Sequence, residues 1–439
     1  MSEAPRRSAL ALEQRAAAQA LEALVAGHRL DAALVRAGQD LALAPASVAA
    51  VRDMASLAAR ELGTCQALSQ MLSERAPSLP VAALQWLALS QLVSPRRHPA
   101  TVVDQAVAAA RADPRTAAAA GFLNATLRAF LRDAEDLLTR ARRDPQAQWN
   151  YPRWWIEQVR AEQPGGWRAV LEVGNQHPPL TLRVNRRRIE PDAYLDCLKR
   201  AGMVGRRIGE QAIVVEPACL VEHLPGWQQG LVSVQDEGAQ RAARWLDLAP
   251  GQRVLDACAA PGGKSAHVLE LAPVSLTAVD IDSARLARMA QGLARLSLSA
   301  NLVCADAMRP RSWWDGVRFD RVLVDAPCTA SGIVRRAPDA RWLRRRSDLA
   351  TFARSQRRLL EALWPALAPG GKLLYVTCSV FKAEGPDVIR SFLHDHAEAS
   401  ELALDGAPAG PGPGVQLLPT HTEQVDHDGF YYCLIGKRR

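Results

Sequence analysis

The chain has 439 residues, of which 48% are hydrophobic and 23% are charged. These proportions are typical of globular domains, and the length predicts two or three of them, each with its own core. They exclude a disordered or fibrous protein. No apolar run reaches the length of a membrane span, and residues 1–7 lack the apolar core of a signal peptide. The sequence therefore predicts no membrane association.

The net charge of +8 is compatible with a nucleic-acid partner, but whole-chain charge alone does not identify one. The chain has eight cysteines, with no CxxC pair among them. Such spacing predicts neither a metal site nor a disulfide framework, so a reducing cytoplasm is the expected location. The cysteines stand at positions 65, 197, 219, 258, 304, 328, 378 and 433.

The first part of the chain, residues 1–143, is predicted to be a helix bundle, because alanine dominates it and apolar residues recur at helical spacing. Proline, tryptophan and polar residues replace this pattern after residue 144. Residues 144–230 then contain two predicted strands, at 180–184 and 212–216, with a predicted helix at 191–200 between them. This pattern is typical of a small α+β module.

Residues 231–439 alternate predicted strands with helical patterns, of which 283–296 and 349–367 are the clearest. Such alternation predicts an α/β domain with a parallel sheet covered on both faces, of the Rossmann-like kind. The predicted strands are 253–257, 275–280, 301–304, 319–325, 372–377 and 430–435.

A glycine-rich turn follows the first of these strands, and ligands of open α/β sheets bind beyond such strand ends. The pattern is neither GxGxxG nor a phosphate loop, so a cofactor without phosphates, S-adenosylmethionine, fits it. Asp280 ends the second strand and is predicted to accept hydrogen bonds from a ribose. Asp306 follows the third strand, where it is predicted to reach the adenine amino group. The turn itself comprises Cys258, Ala259, Ala260, Pro261, Gly262, Gly263 and Lys264.

Two further strands are followed by cysteines, Cys328 in Asp-Ala-Pro-Cys and Cys378 in Thr-Cys-Ser. A cysteine is usually a small buried hydrophobic residue, and the other cysteines of the chain are interpreted in that way. These two lie at neighbouring strand ends beside the predicted cofactor turn. A thiolate there can attack carbon 6 of a cytosine and activate carbon 5 for methylation. Asp325 is predicted to bind the N3/N4 edge of the base.

An arginine-rich segment, residues 332–346, follows Cys328. Its position predicts that it lies at the mouth of the site, where arginines would bind phosphates beside an extruded base and Trp342 would stack or pack. Arg183 and the run 186–188 are predicted to extend this track. The candidate RNA-binding residues are Arg335, Arg336, Arg341, Arg344, Arg345 and Arg346.

At these motifs the chain resembles the bacterial Sun/Fmu (RsmB) family of ribosomal RNA cytosine-5 methyltransferases. The resemblance spans nearly the whole chain and includes residues 182–185, 233–236, 258–264, 325–332 and 377–380. It implies methyl transfer from S-adenosylmethionine to a cytosine of small-subunit (16S) ribosomal RNA. It also implies that residues 1–143 form a NusB-like RNA-binding domain and that 144–230 form an RRM-like module before the catalytic domain, 231–439.

The same resemblance assigns the thiols, whose order their spacing alone leaves open. It implies that Cys378 is the nucleophile and that Cys328 assists product release, and it places Asp325 in the cofactor site as well. The chain has Ala383-Glu384-Gly385 where family members often have Glu-Glu-Asn, and Arg-Arg-Ala-Pro-Asp where they have Arg-Arg-His-Pro-Asp. The expected partner is ribosomal RNA or an early assembly particle, and the expected state is a monomer.

Three alternatives remain open at the level of the sequence. A DNA cytosine-5 methyltransferase would use Cys328 as the nucleophile, although Cys378 and the helical N-terminal part argue against it. An RNA cytosine-5 methyltransferase acting on tRNA would have the same site. A non-catalytic RNA-binding assembly factor would retain the fold without binding S-adenosylmethionine.

Overall fold

The computed structural model describes residues 9–407 and 412–438. The N-terminal segment that was expected to lack a signal core lies outside these residues. The chain divides into two compact units, residues 1–175 with 337–346, and residues 176–336 with 347–439. This division differs from the three predicted segments, because the helices up to residue 175 belong with the bundle and the small module belongs with the catalytic domain.

The first unit is helical, as predicted. In α1 the buried side chains recur every three or four residues, as in Ala17, Leu21 and Leu24, so one face packs into an alanine- and leucine-rich core. Its helices are α1 (Ala9–Val25), α2 (Leu30–Asp40), α3 (Pro45–Arg60), α4 (Leu62–Leu72), α5 (Leu79–Val93), α6 (Pro99–Arg111), α7 (Ala120–Arg132), α8 (Ala134–Ala141), α9 (Pro145–Trp149), α10 (Arg153–Glu162) and α11 (Trp167–Asn175).

The second unit begins with the small α+β module, which has the predicted strands and helix. Four antiparallel strands in the order β2-β3-β1-β4 form its sheet, against which the buried Tyr194 and Leu198 of the helix pack. The last strand lies beyond the predicted boundary at 230. The elements are β1 (Leu180–Val184), α12 (Pro191–Arg200), β2 (Val204–Arg207), β3 (Ala212–Glu216) and β4 (Val232–Val234).

The catalytic part of this unit is an α/β domain whose sheet has the order β10-β14-β9-β8-β5-β6-β7. Its helices are α13 (Glu237–Trp245), α14 (Gly263–Leu271), α15 (Ser283–Arg295), α17 (Arg346–Leu363) and α18 (Pro386–Asp395), whereas the short α16 (Ala340–Leu343) belongs to the helical unit. Its strands are β5 (Arg253–Ala257), β6 (Ser275–Asp280), β7 (Asn301–Cys304), β8 (Phe319–Asp325), β9 (Leu367–Thr377), β10 (Ala399–Leu402), β11 (Val415–Leu417), β12 (Thr420–His421), β13 (Asp426–His427) and β14 (Phe430–Lys437).

The predicted parallel sheet is confirmed for β5 to β9, which pair in parallel. The sheet is mixed, however, because β14 inserts antiparallel between β9 and β10. Along β8, Val322 and Val324 pack into one apolar cluster while Leu323 packs into another, so both faces of the sheet are covered. Since the five parallel strands run in one direction, the segments that follow them meet at one edge of the sheet.

No helix in the described ranges is both long and apolar enough to cross a membrane.

Candidate active site

The carboxyl-terminal edge of the sheet brings the predicted cofactor and thiol residues together. From β7 across to β9, the strand ends are followed in turn by Asp306, Asp280, the turn at 258–264, the Asp325–Cys328 segment and Cys378. The order is continuous, so Asp306 and Asp280 lie in one half of the edge, and Asp325, Cys328 and Cys378 lie in the other half.

The turn between β5 and α14 requires unusual backbone conformations. Cys258 has a φ of 62°, and Gly262 has a φ of 96°. A Cβ on Gly262 would approach the Cγ of Met289 to 2.5 Å. The turn therefore packs closely against α15, which explains why glycine stands at 262. Burial, followed by the charges of Asp325 and Asp280, raises the pKa of the Cys258 thiol to about 12.

Asp280 and Asp306 line a cavity beside this turn. Asp280 Oδ2 accepts a hydrogen bond from the backbone N–H of Ala260 at 3.0 Å, so this carboxylate also holds the turn in place. Asp306 Oδ1 accepts from the N–H of Met308 at 2.9 Å. The cavity has a volume of about 150 Å³, and Ile281 is among its apolar walls.

This cavity suits the adenosine part of S-adenosylmethionine. Its apolar walls suit a base, and its two carboxylates suit ribose hydroxyls and an exocyclic amino group. Gln356 also lines it, and the buried Oε1 of that side chain has no partner among the described residues, which leaves an acceptor for a bound group. Among those same residues, no cluster of His, Cys, Asp and Glu could hold a metal ion.

The two predicted thiols are in contact. The Sγ atoms of Cys328 and Cys378 are 3.3 Å apart, with Cys328 buried and Cys378 partly exposed. Its hydrogen bond to Cys378 and its burial raise the pKa of the Cys328 thiol well above the usual range. Cys328 is therefore protonated in the folded protein.

An ion pair lies beside these sulfurs. Lys264 Nζ is 2.5 Å from Asp325 Oδ2, although Lys264 was predicted only as part of the cofactor turn. Burial alone would lower the pKa of Lys264, but the charge and hydrogen bond of Asp325, and the nearby Cys378, raise it. The lysine consequently remains a cation and compensates the charge of Asp325.

The structure corrects the prediction that Arg335 binds RNA. This arginine is 1% exposed and pairs with Asp426 at 2.8 Å and with Asp428. Arg336 is partly exposed, and its guanidinium is 3.0 Å from Asp236 and 2.6 Å from Asp428. The sequence pattern resembled a solvated basic face, but these two arginines neutralise three buried carboxylates from other parts of the chain.

The same correction applies to Arg341, which is fully buried within the helical unit. Its guanidinium donates to the carbonyls of Asn150 at 3.1 Å and Gly174 at 2.7 Å, and it lies 3.9 Å from the ring centroid of Tyr151. Trp342 packs there as well and donates to the carbonyl of Ala59. Arg344 is partly exposed, while Arg345 and Arg346 are exposed.

The predicted extension of the basic track also has structural partners. Arg183 forms a buried ion pair with Glu270 at 2.8 Å. Arg187 donates to the carbonyl of Leu269 at 3.1 Å, and Arg188 donates to that of Leu296 at 2.7 Å. The first carbonyl belongs to the last turn of α14 and the second to the residue that caps the end of α15, where unpaired acceptors favour cations. The arginines therefore attach the small module to the catalytic domain.

The fold and the cavity together define an S-adenosylmethionine-dependent methyltransferase. Residues 243–435 match the family model described as 16S rRNA methyltransferase RsmB/F, and residues 151–222 match the RsmF/B-like ferredoxin-like domain. The chain belongs to this RsmB/F family, as the resemblance of its motifs indicated.

Relatives with curated names agree with this assignment. The chain is 46% identical over 329 residues to ribosomal RNA small subunit methyltransferase B of Pseudomonas syringae, covering 73% of each chain. It is 40% identical over 321 residues to the protein of that name from Vibrio cholerae, covering 72% of each.

Solved structures share the fold. The crystal structure of PH0851 superposes with a TM-score of 0.78 at 22% identity, over 97% of this chain and 99% of that one. A methyltransferase homolog protein from Pyrococcus horikoshii has a TM-score of 0.57 at 26% identity, over 66% of this chain and 97% of that one.

Proposed function

We propose that the protein methylates carbon 5 of a cytosine in 16S ribosomal RNA through a covalent bond to Cys378. The observation that carries the proposal is the contact between two thiols, 3.3 Å apart, beside the Lys264–Asp325 pair. A buried protonated thiol, a partly exposed thiol and an ion pair at one strand edge suit nucleophilic attack on a pyrimidine better than simple cofactor binding.

In the first step, Cys378 gives its thiol proton to solvent, and the resulting thiolate forms a bond from Sγ to carbon 6 of the cytosine. The electrons of the C5–C6 double bond become available at carbon 5, which can then bond to an electrophile. When bound, S-adenosylmethionine would supply that electrophile, a methyl group whose bond to the sulfonium breaks and leaves its electron pair on that sulfur. Asp280, Asp306 and the turn at 258–264 would hold it.

Asp325 and Lys264 stabilise the base during attack. The Asp325 carboxylate accepts a hydrogen bond from the N4 amino group, while the Lys264 ammonium lies next to the negative charge that develops on the pyrimidine. Because the two side chains are already paired at 2.5 Å, little reorganisation accompanies the reaction.

Release reverses the covalent step. The proton on carbon 5 passes to a base, the C5–C6 double bond forms again, and the S–C6 bond breaks with its electron pair returning to Cys378 Sγ. Cys328 Sγ lies 3.3 Å from that sulfur, so we assign this proton transfer to Cys328, once it has given up its own proton, or to a water beside it.

Three finer points belong to the same proposal. The helical unit acts as a NusB-like RNA-binding domain, and the ferredoxin-like module acts as an RRM-like one. Arg344, Arg345 and Arg346 bind phosphates of the RNA. The protein works as a monomer in the cytoplasm, without a membrane, on ribosomal RNA or an early assembly particle.

Bisulfite sequencing of 16S ribosomal RNA tests the proposal. A strain that lacks the gene should lose one 5-methylcytosine, the wild-type protein should restore it, and Cys378→Ala should not. Calorimetric titration should show that this variant still binds S-adenosylmethionine. If the strain instead lost a 5-methylcytosine from tRNA, tRNA would be the substrate. If it lost no 5-methylcytosine from any RNA, the proposed activity would be contradicted.

A further inference from the structure

A buried carboxylate outside the predicted site lies directly behind both thiols. Glu384 ends a short turn, Lys382–Glu384, between β9 and α18, and it is fully buried. Burial raises the pKa of this carboxyl group, while hydrogen bonds from Ser379 and Thr329 oppose that shift. A buried acid of this kind is costly unless its oxygen atoms are well satisfied.

Three of the hydrogen bonds to Glu384 come from the residues that follow the two catalytic cysteines. Thr329, next to Cys328, donates from its backbone N–H at 2.8 Å and from its hydroxyl at 2.5 Å. Ser379, next to Cys378, donates from its hydroxyl to the same carboxylate at 2.6 Å. One side chain thus joins the two loops whose sulfur atoms touch.

The Glu384 turn is itself fixed to the strand that carries the nucleophile. The backbone carbonyl of Glu384 accepts hydrogen bonds from the hydroxyl of Tyr375 at 2.9 Å and from that of Thr377 at 3.2 Å. Both residues belong to β9, which ends immediately before Cys378. The carboxylate is therefore held by the rigid sheet, and the Cys328 loop is held by the carboxylate.

Gln356 extends this connection towards the cofactor cavity. Its amide nitrogen donates to Glu384 at 3.3 Å and to the carbonyl of Pro327 at 2.9 Å. Gln356 and Pro327 both line that cavity. The bonds around Glu384 therefore reach from the cavity wall to the two thiol loops.

We propose that Glu384 is a positioning residue for methyl transfer, holding the Cys328 and Cys378 loops so that the two sulfurs stay in contact. The inference rests on the cysteine roles assigned under the proposed function. Because Glu384 is fully buried, it acts through Thr329 and Ser379 and does not touch the RNA.

The rate at which the two thiols can be joined measures their relative position directly. Diamide oxidises two thiols to a disulfide and is itself reduced to the hydrazine, and mass spectrometry after trypsin digestion detects the Cys328–Cys378 bond. Disulfide formation requires the Cβ atoms to come within about 4.5 Å with a defined torsion. The wild-type protein should form this bond readily, whereas Glu384→Ala should form it more slowly.

Methyl transfer should fall in parallel. In single-turnover assays Glu384→Ala should be slower by about 100-fold, the effect expected when reacting groups move by about 1 Å. Its Kd for S-adenosylmethionine should stay within about threefold, since the loss belongs to the transition state. Glu384→Gln should recover part of both rates, because its amide oxygen still accepts from the Thr329 N–H.

Glu398→Gln is the matched control. Its Oε1 accepts a hydrogen bond from the indole of Trp364, which belongs to neither thiol loop, so this change removes one charge without changing either rate. Wild-type rates of disulfide formation and of methyl transfer in Glu384→Ala would overturn the inference, as would rates in Glu384→Gln no higher than those in Glu384→Ala. If Cys378→Ala keeps full activity, the proposed function fails instead, while the diamide rates still test the positioning.

Discussion

Asp256, at the end of β5, shows how one buried group can set a pH dependence. Its side chain is 1% exposed and accepts a hydrogen bond from the hydroxyl of Ser265, while its Oδ1 has no partner in the described part of the chain. Burial, together with the charges of Asp325 and Asp280, raises the pKa of Asp256 from 3.8 to about 7. The folded protein therefore prefers this carboxyl group protonated.

The raised pKa predicts that Asp256 makes the fold less stable as the pH rises. Between about pH 4 and 7 the folded state holds a proton that the unfolded state has lost, so the free energy of unfolding decreases with pH and levels off above 7. Asp256→Asn removes this titration. Urea unfolding at pH 5 and pH 8 should show that the free energy of unfolding decreases by at least about 1 kcal/mol more in the wild type than in the variant. An equal decrease in the free energy of unfolding in both proteins would contradict the raised pKa of Asp256.

At this scale the sequence predicted residue types and strand-end positions well. Cys258, Asp280, Asp306, Cys328 and Cys378 all lie at the predicted edge, because parallel strands must end together. The partners of charged side chains could not be predicted in the same way. A run of arginines looks the same whether it faces water or three carboxylates that are distant in the chain.

Glu384 and the carboxylates at 236, 426 and 428 were the residues that sequence reasoning missed. Each is an ordinary acidic residue in a loop or turn, and only the folded chain shows that it is buried. The signal available for Glu384 was its position a few residues after the nucleophile strand, in the segment where family members often have Glu-Glu-Asn. That signal gave no indication of what its side chain contacts.

At the scale of elements, the β5–α14 turn determines the shape of the cofactor cavity. Gly262 combines a left-handed backbone with a close approach to Met289, whereas Gly251, before β5, has a φ of 81° and no atom within 4 Å of its Cβ position. The two glycines separate the cost of backbone conformation from the cost of packing. The same substitution made separately at each position therefore gives a matched pair of variants.

Gly262→Ala should destabilise the protein more than Gly251→Ala does. Both changes place a side chain in the left-handed region, at about 1–2 kcal/mol, but only the first adds a clash, worth about 1–3 kcal/mol more. Urea unfolding measures both free energies. Calorimetry should show that S-adenosylmethionine binds about tenfold more weakly to Gly262→Ala alone, an energy of about 1.4 kcal/mol. Similar losses in the two variants would refute the packing argument.

The sheet was predictable as parallel up to β9, because each strand is followed by a helical pattern or a long connection. The segment that forms β14 was predicted to be a strand, but its antiparallel direction was not predicted. Strand β14 is preceded by the short elements β11 to β13, which have little periodicity of their own. Its antiparallel insertion depends on long-range pairing that no local pattern encodes.

For the molecule as a whole, the division into units depends on a segment that is distant in sequence. Residues 337–346 belong to the helical unit, where Arg341 is buried and the backbone N–H of Leu30 donates to Asp339 at 3.1 Å. Local patterns gave three consecutive segments and could not show that this piece leaves its neighbours in the chain. The remaining candidates for RNA binding within it are Arg344, Arg345 and Arg346.

The double substitution Arg345→Ala and Arg346→Ala should weaken RNA binding. Both residues are exposed. If each contacts one phosphate, the slope of log K against log salt should decrease in magnitude by about 1 to 2. Filter binding across salt concentrations measures it.

Arg288→Ala with Arg390→Ala, which removes two exposed arginines from α15 and α18, is the charge control. An equal change of slope in both double variants would assign the effect to net charge instead of to this segment.

The most direct test of the covalent mechanism is to map the sulfur that bonds to RNA. Cys328→Ala, incubated with 16S ribosomal RNA and S-adenosylmethionine, should accumulate a protein–RNA complex that survives denaturation, because release is impaired. Mass spectrometry of the digested complex should find the nucleotide on Cys378, and the double variant with Cys378→Ala should form none. A nucleotide attached elsewhere, or transfer that continues without the Cys378 thiol, would contradict the mechanism.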